Sequence, residues 1–169
     1  MKKHIATLLS ITALIFIDQM SKIWASAALR YQNGISIIKN VFELQYLENQ
    51  GAAFGILQNR QGIFVVITLA ALVLLTYVYF KMPTGKRYIP MKVCYVFLMA
   101  GAVGNFIDRV SQGFVVDFFY FRLIDFPIFN VADIYVVAAV AGLLFFILFY
   151  YKEEELDFLS RKGKYGDND

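Results

Sequence analysis

The chain has 169 residues, of which 59% are apolar and 17% aromatic, with a net charge of +3 and a mean hydropathy of +0.58. That balance lies far from a soluble domain and points to a membrane protein. A chain this short leaves little material beyond its spans and their connections, and its single cysteine, Cys94, excludes an internal disulfide framework and reads as core packing.

Four apolar segments approach the roughly 20 residues that a helix needs to cross the hydrocarbon: residues 5–29, 63–80, 91–107 and 134–151. The first follows Lys2 and Lys3 and superficially resembles a secretory signal, with Ala25-Ser26-Ala27 as a possible cleavage site. It carries Asp18 and Lys22, and three more spans follow, so it is expected to be a retained first helix. The expected fold is an α-helical integral membrane protein with four transmembrane helices in one domain, residues 1–151, and a charged, mobile tail, 152–169. Orientation follows from Lys and Arg, ten of which fall on the side of the N-terminus, the connection between spans two and three, and the tail, against five on the other. Both termini are therefore expected in the cytoplasm.

The two outer connections hold the residues with chemical potential. In the first, turn signals at Asn33-Gly34 and Lys39-Asn40 precede the alternating Phe42-Glu43-Leu44-Gln45-Tyr46, which predicts a small sheet on the extracytoplasmic face. In the second, the β-favouring run 114–121 is expected to join that sheet.

Polar residues near the membrane divide into a few groups. Asp18 and Lys22, four apart, share a helix face and suit a structural ion pair. Gly51 and Gly55, in "NQGAAFG" after Asn49, suit backbone lying close to a ligand. Asn and Asp recur three apart at Asn105/Asp108 and at Asn130/Asp133. The second pair fits an N-cap with an acidic N3 residue, a purely structural role. The first falls at the C-terminal end of span three, where an aspartate is unfavourable unless a neighbour such as Arg109 offsets it. The only histidine, His4, lies at the opposite end, which argues against a zinc site, and Ser21 beside Lys22 is poorly placed for a Ser/Lys pair. Carboxylates remain, and two that share a proton can activate water and protonate a leaving amine.

The blocks "FIDQMSK", "NQGAAFG", "GAVGNFIDR", "VVDF" and "FNVAD", in this order between residues 16 and 133, resemble the signature blocks of the lipoprotein signal peptidases (signal peptidase II). The resemblance implies an aspartic endopeptidase of the bacterial inner membrane that removes the signal peptide from diacylglyceryl-modified prolipoproteins, cutting before the lipidated cysteine. It implies Asp117 and Asp133 as the catalytic pair. Asn49, Gly51, Asn105, Asp108, Arg109 and Asn130 would then position substrate or support the pair, with Asp18 and Lys22 behind them. Arg109 would orient substrate carbonyls or pair with Asp108. The expected partners are the lipidated precursor and membrane lipid, with no nucleic acid, metal or cofactor, and the chain is expected to act as a monomer. The rival reading is an ion or proton carrier, which intramembrane acids often mark. Against it, the acids gather on one side, and a relay would need stations across the bilayer.

Overall fold

The structure is a computed structural model that describes residues 2–51 and 61–159. Its helices are α1 (Lys2–Leu29), α2 (Gln61–Lys81), α3 (Ile89–Gln112) and α4 (Val131–Phe145), the last continued by a π-helical turn over Phe146–Tyr150. Among the described residues four helices, allowing for these extensions, are long and apolar enough to span a bilayer. Large side chains such as Leu8, Phe16, Val73 and Phe149 stand exposed on them, as lipid-facing positions require.

Helix α3 is longer than expected. Pro90 suits its first turn, and it continues past Ile107 to Gln112 before Gly113 ends it in the left-handed region at φ 79°, donating its N–H to the Arg109 carbonyl. Asp108 and Arg109 are thus held in regular helix rather than at a frayed end. Close packing of α3 on its neighbours depends on two glycines. A Cβ on Gly101 would lie 2.5 Å from the Ala132 carbonyl oxygen, and one on Gly104 would lie 2.5 Å from Asp18 Oδ2.

Strands β1 (Ile35–Ile38), β2 (Phe42–Asn49) and β3 (Val115–Tyr120) form an antiparallel sheet in that order, so the run in the second connection does join the hairpin of the first. The hairpin turns through Asn40 at φ 60°. The β2–β3 register sets Asn49 opposite Val115 and Leu47 opposite Asp117. Val116 and Phe118 pack on Ala25 and Leu29, fixing the sheet to the end of α1. A second cluster, with Ile11, Met82, Met91, Tyr95 and Tyr151, closes the other end of the bundle.

The described part of the tail takes a regular form. Glu153–Leu159 form a 3₁₀ helix in which Glu155 accepts a 2.9 Å bond from Arg87 Nε, while Tyr88 Oη donates to the Glu155 carbonyl at 2.9 Å. The Arg87 guanidinium also donates to the Tyr150 carbonyl. Residues 160–169, like Gly55, lie outside the described residues.

Candidate active site

The second connection delivers its polar residues through main-chain pairing. Phe129 bridges Phe119, donating its N–H at 3.0 Å and accepting from the Phe119 N–H at 2.8 Å, so the chain enters α4 directly beside β3. Asn130 then caps α4: its side chain accepts from the Asp133 N–H at 3.0 Å, and Asp133 Oδ2 accepts from the Asn130 N–H at 3.1 Å. The capping role expected of this pair is therefore realised. It leaves capacity unused, because Asp133 Oδ1 is free to accept Asn105 Nδ2 at 2.8 Å.

Asp117 projects from β3 into the same region and is 2% exposed. Asn130 Nδ2 donates to its Oδ1 at 2.6 Å and Asn49 Nδ2 to its Oδ2 at 2.8 Å. One asparagine thus joins the two carboxyl groups, contacting Asp117 with its amide and Asp133 with its backbone. Burial first, and the negative charge of Asp133 second, push the Asp117 carboxyl up to about 7, against the two amide donors and the Lys22 charge. A carboxyl that keeps its proton to near neutrality beside a second acid is suited to paired acid and base work.

Behind this pair is a second layer of charge. Lys22 Nζ lies 2.9 Å from Asp18 Oδ2, as the four-residue spacing predicts, and also 3.0 Å from Asp108 Oδ2 and 2.9 Å from Asn105 Oδ1. Asp18 Oδ1 accepts the Ala132 N–H at 2.9 Å, adding a cap to α4 from the first helix. Of the two roles expected for Arg109, orienting substrate or pairing with Asp108, the direct ion pair with Asp108 is taken by Lys22. Adjacent residues on a helix point about 100° apart, and Arg109 faces another way.

Arg109 Nη2 donates to the Gly51 carbonyl at 3.3 Å and Nη1 to the Asn105 carbonyl at 3.4 Å, while its guanidinium carbon lies 5.0 Å from the Phe64 ring centre. Among the described residues, its Nε is the one buried side-chain nitrogen or oxygen without a hydrogen-bond partner. Gly51 also donates its N–H to Asn49 Oδ1 at 2.9 Å, so its backbone fixes the asparagine that holds Asp117.

A cavity of about 620 Å³ opens on this constellation. Asp117, Asp133, Asn105 and Arg109 form a polar patch on its wall, and Phe129, Ile134 and Val137 belong to the apolar remainder. Among the described residues no group of three or more His, Cys, Asp or Glu is placed to hold a metal ion.

Comparison with known proteins identifies the constellation's lineage. Residues 10–149 match the model of the family described as signal peptidase (SPase) II. The chain belongs to the signal peptidase II family. It is accordingly an aspartic peptidase of the signal peptidase II type. It is 46% identical over 143 residues to a lipoprotein signal peptidase of Clostridioides difficile (strain 630), covering 85% of this chain and 95% of the relative. It is 40% identical over 152 residues to that of Streptococcus thermophilus (strain CNRZ 1066), covering 90% and 96%. A solved bacterial membrane enzyme, obtained by the in meso method at 2.3 Å resolution, superimposes with a TM-score of 0.75 at 30% identity, covering 95% of this chain and 93% of the other.

The residues singled out in this signal peptidase II chain converge from α1, β2, α3, β3 and the start of α4, which the sequence separates. Sequence reasoning missed Gln19, whose Nε2 donates to Asp108 Oδ1 at 2.9 Å and to Asp18 Oδ2 and the Gly104 carbonyl, each at 3.2 Å. Its partners come chiefly from α3, so no spacing within α1 could signal it. The aromatic wall over Phe126–Phe129 was likewise hidden, because its role depends on how the connection returns to the sheet.

Proposed function

We propose that the chain removes signal peptides from diacylglyceryl-modified prolipoproteins, cutting on the N-terminal side of the lipidated cysteine, with Asp117 and Asp133 as the catalytic pair. The observation that carries the reading is a buried carboxyl held near neutral pH beside a second one, both on one cavity. The relatives named lipoprotein signal peptidase support the substrate class. The cavity's apolar side, where Ile134, Val137 and Ala138 descend α4, suits an acyl chain, while its polar patch suits a peptide bond.

In the proposed cycle the pair starts with one proton. One carboxylate takes a proton from water as the oxygen attacks the scissile carbonyl carbon, and the partner gives its proton to the carbonyl oxygen. The resulting gem-diol collapses as the C–N bond breaks. The nitrogen receives the proton taken from water, and one hydroxyl returns its proton to the partner, restoring the starting state. Asn49, Asn105 and Asn130 hold both carboxyl groups in place throughout, and Arg109, with an unsatisfied Nε, is suited to orient a substrate carbonyl. An ion carrier is less well supported, because α2 has no charge before Lys81 and α4 none beyond Asp133.

The test is cleavage of paired prolipoprotein peptides that differ only in the diacylglyceryl group, across pH. The lipidated peptide should be cut and its unlipidated twin left essentially intact. Asp117 loses its proton as pH rises through about 7, so kcat/KM should fall above that pH by about tenfold per unit. Equal cleavage of both peptides would remove the acyl-chain reading. A rate flat to pH 9 would remove the shared proton.

The orientation we propose sets both termini in the cytoplasm and the cavity at the outer surface, on the asymmetry of Lys and Arg. Reporter fusions in the connection between α2 and α3 should read as cytoplasmic and those at Asn33 as external; the reverse pattern would invert the arrangement.

A further inference from the structure

At the end of the sheet where β2 begins and β3 finishes, two turns lie side by side. The 3₁₀ turn Arg122–Ile124 meets the β1–β2 hairpin through the Leu123 N–H, which donates to the Val41 carbonyl at 3.4 Å, and the Val41 N–H donates in turn to the Ile38 carbonyl at 2.9 Å. Leu123 and Ile124 are each 69% exposed, and Ile37 and Ile38 each 55%. A single exposed aliphatic side chain needs no explanation, but four gathered from two connections do. The charges of the same turn are engaged by the sheet. Arg122 Nη1 donates to Glu43 Oε1 at 2.7 Å, and Asp125 Oδ1 accepts from the Tyr120 hydroxyl at 2.6 Å. The main chain is satisfied as well, with the Asp125 N–H on the Arg122 carbonyl at 3.1 Å and the Phe126 N–H on the Phe121 carbonyl at 3.2 Å. Paired charges, bonded amides and uncovered aliphatics suit a medium poor in water.

What covers the patch follows from its surroundings. Phe126, two residues beyond Ile124, lines the cavity of Asp117 and Asp133 together with Ile134 and Val137 of α4, and all three of these apolar residues are exposed. The patch therefore continues into the lipid-facing surface of a spanning helix. We propose that Ile37, Ile38, Leu123 and Ile124 form a wedge that enters the adjoining leaflet of the bilayer, down to the boundary between headgroups and acyl chains, as the apolar face of an interfacial helix does. Lys39, exposed at the hairpin turn beside them, has a stem long enough to keep its ammonium group at the level of the phosphates. The wedge would hold Phe126, and with it the cavity mouth, against the lipid from which an acylated substrate arrives. The insertion itself does not depend on how the cavity is read.

The experiment places a nitroxide on Ile37→Cys, Leu123→Cys or Ile124→Cys, each in a full chain that also carries Cys94→Ala, reconstituted in vesicles of phosphatidylcholine and phosphatidylglycerol. Val73→Cys, 69% exposed in the middle of α2, is the reference for hydrocarbon, and Asn33→Cys, in the turn before β1, the reference for water. Labels at 37, 123 and 124 should collide with oxygen in preference to a water-soluble nickel chelate, as at Val73 but at a shallower depth. Thermal unfolding of the same samples identifies any labelled chain that has lost its fold. The unaltered chain gives a second measurement: a phospholipid with a photoreactive diazirine on its acyl chain should mark the peptide that contains Leu123 and Ile124. Labels as open to the nickel chelate as that at Asn33 overturn the proposal, and so does an unmarked peptide. Exclusion of both collision reagents also overturns it, because it would show the patch covered by protein, such as a second copy of the chain.

Discussion

Asp117→Asn and Asp133→Asn should each reduce cleavage of a lipidated precursor by at least about 10²–10⁴-fold, the contribution of a positioned proton-transfer group. The double variant should be scarcely worse than either single one, because the two groups act as a unit. The hydrogen bonds also set a structural cost. Asn130 and Asn49 amides point at the two oxygens of Asp117, so an amide in its place sets one donor against another. At position 133, an asparagine oxygen can still accept the Asn130 N–H, but its NH₂ then meets the Asn105 amide. Asn105 cannot simply turn over, since its oxygen already serves Lys22 and Asn130. Each variant should therefore lose about 1–3 kcal/mol of stability and remain folded. Asp125→Asn is the control: Asp125 accepts from the exposed Tyr120 hydroxyl at 2.6 Å, away from the cavity, and the variant should cleave within about twofold of normal. Release of signal peptide, measured beside folded-protein amount, decides the matter. Activity in Asp133→Asn that falls only with the folded fraction would make the residue a cap and nothing more.

Lys22→Met should be the most destabilising of these changes. It leaves the carboxylates of Asp18 and Asp108, buried to 0% and 3% exposure, with Gln19 as a shared donor and without their shared cation. Breaking a buried pair costs about 3–5 kcal/mol, and here two acids are uncompensated together. Asp18→Asn should cost less, because Lys22 retains Asp108 and an amide oxygen can still accept the Ala132 N–H. In detergent, the midpoint of unfolding should fall furthest for Lys22→Met, then for Asp18→Asn, while turnover per folded molecule changes by a smaller factor. An Asp18→Asn protein with unchanged stability and no activity would move that residue into the chemistry.

What was legible in the sequence was governed by local geometry. The Asp18–Lys22 pair follows from helical spacing, the β1–β2 hairpin from its turn residues, and the Asn130–Asp133 box from the preferences of a helix start. Distant partnerships were not legible. Asp108 has a charged neighbour in sequence, Arg109, yet its cation comes from another helix, and nothing along α3 encodes that choice. Glu155 looks like part of a solvated acidic run until Arg87, from a remote connection, is set against it. The family signature blocks brought the candidate residues together on paper, but the joining of Asp117 to Asp133 through Asn130 is visible only once β3 and α4 stand side by side.

The bond from the Ala132 N–H to Asp18 has a consequence for biosynthesis. The chain is made from its N-terminus, so Asp18, Lys22 and Asp108 can meet as soon as the third helix is inserted. Asn130, Asp133 and the amide that Asp18 accepts arrive only with the fourth. A nascent chain lacking that helix has a lone Asp117 without its partner or its linking asparagine. On the proposed catalytic reading, the pair is complete only when the last helix seats against the first.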